Sequence, residues 1–91
     1  MDAVERIARL TRKHPEVAVE LLDPGGMVRY VIFDGASHPE YLPDVVPPEP
    51  APLVRGSVYP KEPYIRHQHA DYEPIAYDVP LDELPDAITR P

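Results

Sequence analysis

Apolar positions in the first third of the chain recur with two different periods. Val4, Ile7, Ala8 and Thr11 share one face at helical spacing, flanked by Ala3 and Leu10. Asp2 and Glu5 ahead of them resemble a capping box with aspartate in the usual Ser or Thr place. Two acid-first pairs, Asp2–Arg6 and Glu5–Arg9, have i, i+4 spacing. Arg12, Lys13 and His14 sit where cations favour a helix C-terminus, and Pro15 restricts His14 and ends the helix. At roughly twelve residues such a helix is marginal alone and must pack on a partner.

From Glu16 the period drops to two. EVAVELL (Glu16–Leu22) places Val17, Val19 and Leu21 on one face. DPGG (Asp23–Gly26) is turn chemistry, and MVRYVIF (Met27–Phe33) is rich in β-branched and aromatic residues. The pattern predicts a β-hairpin with the helix laid across it.

Beyond Asp34 the periodicity fades. Residues 39–52, PEYLPDVVPPEPAP, hold six prolines, which exclude regular helix and predict an extended, polyproline-like strap. LVRGSVY (Leu53–Tyr59) and YIRHQH (Tyr64–His69) read as short strands around a PKEP turn. IAYDV (Ile75–Val79), bounded by prolines, reads as an edge strand with Ile75, Tyr77 and Val79 on one side. LDELPDAI (Leu81–Ile88) predicts a helical turn or two with Leu81, Leu84 and Ile88 as apolar contacts. The expected fold class is α+β, one small domain. Residues 1–38 form a helix-plus-hairpin scaffold, 39–52 a strap, and 53–91 an acidic, tyrosine-rich segment.

Composition sharpens this division. The chain has 91 residues, 43% of them hydrophobic and none of them cysteine, so its core is thin and has no disulfide or thiolate-metal support. Net charge is −7, unevenly spread. Residues 1–33 carry five acids and five bases, whereas residues 34–91 carry eleven acids against Arg55, Lys61, Arg66 and Arg90. Such a surface repels phosphate backbones and attracts basic ones, so a protein partner with a basic surface is expected and direct nucleic-acid binding is not. The opening residues read neither as a secretory signal nor as a membrane span, so the expectation is a cytoplasmic protein or a virion component with no membrane partner. The absence of asparagine and the many prolines suit heat adaptation and GC-rich coding equally.

Two groups of residues carry candidate chemistry. His67, His69, Asp71 and Glu73 would share a face on one strand, but a straight strand spreads them over about 20 Å. A divalent metal at His67, His69 and Asp71 therefore requires a turn at Ala70, or a third ligand such as His38 or His14. The spacing His67-x-His69-x3-Glu73 resembles part of the cupin metal motif. Lys61 and Pro80 stand where that motif wants glycine, and the chain is not assigned to the family. The plainer reading is two histidines near carboxylates on a solvated, pH-sensitive surface.

The second group is aromatic. Of six tyrosines, Tyr41, Tyr59, Tyr64, Tyr72 and Tyr77 fall in the acidic, proline-rich part. Tyrosine suits a half-wet interface, so these five are partner-binding candidates together with the carboxylates of Asp78, Asp82, Glu83 and Asp86. Carboxylate pairs such as Asp82–Glu83 come without a phosphate loop, and Ser37 and Ser57 lie in no nucleophile elbow, so no enzyme class is supported. Pro47-x-x-Pro50 lacks the basic residue of an SH3 ligand and reads as a spacer. The expected function is a non-enzymatic interaction protein, an acidic structural or accessory subunit of a larger assembly such as a virion. The alternatives are an acidic inhibitor mimicking nucleic acid in a basic cleft, and a metal-binding protein using His67 and His69. No cofactor beyond that metal is implied, and a homo-oligomer is compatible with the sequence.

Overall fold

The computed structural model describes residues 2–39, 52–66 and 73–90. Helix α1 spans Ala3–Lys13, and the Asp2 carboxylate caps it by accepting the Glu5 N–H at 2.8 Å. Being used as a cap, Asp2 makes no ion pair with Arg6. The expected Glu5–Arg9 pair is not formed either, as suits an exposed pair whose small gain must offset side-chain entropy.

Strands β1 (Val17–Leu22) and β2 (Val28–Phe33) form the expected hairpin, with Val19 opposite Ile32. In the turn, Asp23 Oδ1 accepts from Gly25 N–H at 2.9 Å and Met27 N–H at 3.0 Å, and Gly26 supplies φ +83°. Strand β3 (Ala36–Pro39) follows immediately, paired with β2 through a tight turn at Asp34 (φ +53°) and Gly35 (φ +81°). Two successive residues at positive φ match the hairpin turn that Asp-Gly favours. The third strand occupies the end of the segment read as scaffold. Of the proline-rich strap expected at residues 39–52, Pro39 ends strand β3, and residues 40–51 lie outside the described residues.

Strand β4 (Arg55–Pro60) returns on the other side of β1, placing Val58 opposite Val19, and β5 (Ala76–Pro80) pairs with β4. The sheet is antiparallel, five-stranded and ordered β3-β2-β1-β4-β5. With the helices this is the α+β class expected. A 3₁₀ turn at Leu81–Glu83 leads into α3 (Leu84–Thr89).

One face of the sheet carries the main core. Val17, Val19, Leu21, Ile32 and Val58 meet Ile7 of α1 and Leu84 and Ile88 of α3, all of them buried. Leu81 packs against the same cluster, so the C-terminal apolar contacts expected from spacing are present. The strand expected at Tyr64–His69 is corrected over its described part: Lys61–Arg66, the end of the expected turn and the start of that strand, form helix α2, and residues 67–69 lie outside the described residues. Pro63 falls in the first turn, where a missing N–H costs no intrahelical bond, and Glu62 pairs with Arg66 at 3.0 Å across i, i+4. Lys61 N–H donates to Glu16 O at 2.9 Å, and Lys61 Nζ lies 3.0 Å from both carboxylate oxygens of Asp34, so the helix is tied across the sheet.

Candidate interaction surface

The tyrosines divide by their place on the fold. Tyr64, on α2, is 4% exposed against the second face of the sheet, with Ala18 and Val31. Its ring stacks on Tyr59 at 5.0 Å, and its hydroxyl donates to Glu20 Oε2 at 2.6 Å. Helical spacing turns Tyr64 inward, whereas a strand from Tyr64 to His69 would have left its orientation to the register. Tyr59 is half-buried beside it. Both rings are thus committed to packing within the chain. Tyr41 and Tyr72 lie outside the described residues.

Tyr77 is different. It is 71% exposed, and Ile75, just before the strand begins, is 52% exposed. The cause is local. Asp78 adopts φ +53°, and the β4–β5 register shifts between Gly56 and Val58. An extra residue in the left-handed region is the signature of a β-bulge, which breaks the alternation of faces. Ala76 and Val79, three apart, both pack on the core, and Tyr77 between them projects away. The expectation that Ile75, Tyr77 and Val79 share one side is therefore corrected by this bulge.

The bulge is held from both sides of the Asp78 residue. Its N–H donates to Ser57 Oγ at 2.9 Å, satisfying a buried hydroxyl, and its carboxylate accepts from Arg55 Nε at 2.6 Å. Strand β5 is also one of the two edge strands of the sheet, the other being β3. Next along the chain, Asp82, Glu83 and Asp86 are all exposed on the 3₁₀ turn and α3, where burial of Leu84 and Ile88 turns them outward. Asp86 has one weak partner, Arg90 at 4.0 Å; Asp82 and Glu83 have no ion pair among the described residues. The β5–α3 unit thus carries an exposed tyrosine and isoleucine, followed along the chain by three exposed carboxylates.

The metal candidates His67, His69 and Asp71 lie outside the described residues. Their suggested third ligands are engaged elsewhere. His38 stacks on Phe33 at 4.7 Å with Nδ1 3.2 Å from Val31 O, and His14 Nδ1 lies 3.3 Å from Glu16 Oε1. Among the described residues no three His, Asp or Glu side chains come together to hold an ion, and no helix is long and apolar enough to cross a membrane.

A second surface was not anticipated. A shallow groove runs between α1 and the 3₁₀–α3 segment, in two lobes of about 390 and 340 Å³ that share Arg6 and Pro85. Ile7, Leu10, Val54 and Leu81 contribute apolar lining, Arg9 and Lys13 stand on the α1 bank, and Asp82 stands opposite. The arginine and lysine spacing was legible in the sequence, but the apolar floor needs α3 beside α1. No protein-family model, curated protein or solved structure matches this chain.

Proposed function

We propose that the protein is a non-enzymatic interaction module that docks on another protein through its β5 edge. Tyr77 and Ile75 serve as apolar anchors, and Asp82, Glu83 and Asp86 form an acidic rim. The observation that carries this reading is the outward ring of Tyr77, which the Asp78 bulge and its two hydrogen bonds hold in solvent. A large aromatic fixed on a rigid edge loses little entropy on docking, and tyrosine is enriched where interfaces bury one end and wet the other. The acidic rim selects a basic counterpart. An accessory subunit of a larger assembly and an inhibitor seated in a basic cleft both use such a face.

Salt and mutation separate these two roles. The partner cross-linked and captured from the native source is re-bound to the wild type, to Tyr77→Ala, and to the triple variant Asp82→Asn, Glu83→Gln, Asp86→Asn. A subunit held by burial loses affinity with Tyr77→Ala and responds little to salt. A charge mimic loses affinity steeply with added salt and with the triple variant. Binding indifferent to all three treatments would refute the β5 edge as the docking face.

A further inference from the structure

We infer that the groove between α1 and α3 is the contact face of a symmetric homodimer, in which the α1 cations of each copy meet the α3-side carboxylates of the other. This goes beyond the docking role of the β5 edge: it shares Asp82 and Asp86 with the acidic rim proposed there but uses neither Tyr77 nor Ile75.

Arg6, Arg9 and Lys13 follow i, i+3, i+7 spacing and so form one row along α1. All three are exposed, and none has a carboxylate within ion-pair distance among the described residues. That is unusual in a chain with sixteen acids and nine bases, where the other cations outside α1 (Arg29, Arg55, Lys61, Arg66 and Arg90) are each paired. The unpaired row borders an apolar floor, and across that floor stands Asp82, in the same lobe as Arg6 but not bonded to it. Asp86 follows one turn later on α3.

One face therefore carries a basic row, an apolar strip and, on its far side, Asp82, with Asp86 directly after the groove-lining Pro85. A twofold axis running along the strip places each basic row against those carboxylates of a second copy, which is the self-complementarity an isologous contact requires. The chain itself supplies both halves of the match, which favours a second copy over an unrelated acidic or basic partner. The net charge of −7 does not prevent this. Fields decay over about 8 Å at physiological salt, so the local banks outweigh the distant carboxylates. Closing the contact also covers Val54 and Leu10 and partly desolvates the arginines, where paired charges are worth more than on open surface.

The test is the molar mass of the full chain by sedimentation equilibrium over a wide concentration range at near-physiological salt. The wild type is expected at twice the chain mass. Arg6→Glu with Arg9→Glu, and separately Asp82→Lys with Asp86→Lys, should each weaken dimerisation by more than about tenfold. Mixing the two charge-reversed proteins should restore a dimer. All four positions are exposed, and circular dichroism confirms that each variant folds. Tyr77→Ala should leave the mass unchanged, so loss of β5 docking and loss of the dimer are distinguishable. A wild type monomeric at every concentration, a dimer untouched by both reversals, or no dimer on mixing would overturn the inference.

Discussion

The buried hydroxyl of Thr11 accepts the backbone N–H of Gly35 at 3.0 Å while donating to Ala8 O at 2.8 Å. This bond ties the last turn of α1 to the turn between β2 and β3, twenty-four residues away. The helix is thereby fixed over the sheet by one polar contact inside an otherwise apolar seam.

Replacing that hydroxyl tests the tie. Thr11→Val keeps the shape but leaves the Gly35 N–H without its acceptor, and should cost about 1–3 kcal/mol in urea unfolding. Thr11→Ser keeps the bond and loses one methyl, a change of about 1 kcal/mol. A valine variant as stable as the serine variant would show that the bond contributes little.

Two glycines should respond differently to alanine. At Gly35 an added Cβ would meet Arg12 Nε at 2.8 Å and Arg12 Cβ at 3.2 Å; the guanidinium can swing away, leaving the φ of +81° and a tight Cβ contact as the cost, about 1–2 kcal/mol. At Gly56 the added Cβ would lie 2.7 Å from the backbone oxygen of Glu20 and against the Leu84 side chain in the core. Neither can retreat without moving a strand or α3. Gly56→Ala should therefore destabilise by about 1–3 kcal/mol and shift strand β4. Thermal midpoints of the two variants give the order directly.

Asp78 combines backbone and charge roles that substitution can separate. Its ion pair with Arg55 is nearly half exposed on both sides, so Asp78→Asn, which tolerates positive φ, should lose at most about 1 kcal/mol. Asp78→Val keeps neither the pair nor an acceptable backbone and should lose about 1–2 kcal/mol more, with release of the β5 edge. Hydrogen exchange at β5 amides would register that release. Equal losses in the two variants would mean that charge, rather than the bulge, holds the edge.

The Tyr64 hydroxyl bonds to a carboxylate at a site with little solvent access. Tyr64→Phe should cost about 1.5–3 kcal/mol, and the double variant with Glu20→Gln should cost less than the two single changes added together. Additive losses would show that the two side chains act independently.

Much of the candidate surface was legible in the chain, though not its geometry. The exposure of Asp82, Glu83 and Asp86 follows from the spacing of Leu81, Leu84 and Ile88, which can bury only one side of a short helix. Tyr77 was identifiable as a residue type suited to an interface. Its outward projection depends on Asp78 entering the left-handed region opposite Ser57, a pairing twenty-one residues apart. Strand β3 did leave a signal, the Asp-Gly pair between VIF and ASH, which is overshadowed by the proline run that begins at Pro39.

The sequence by itself determined α1, the first hairpin and the C-terminal apolar contacts, because each rests on caps, turn residues and spacings only a few positions apart. Tertiary structure decided the rest. Lys61–Arg66 became a helix because Tyr64 finds Glu20 and Tyr59 on the sheet beneath it, a bulge formed against β4 lets Ala76 and Val79 both face the core with Tyr77 outward between them, and the basic row of α1 gained an apolar border only when α3 settled beside it. Those outcomes depend on contacts between distant segments, whose energies exceed the weak local preferences that a short stretch of residues can express.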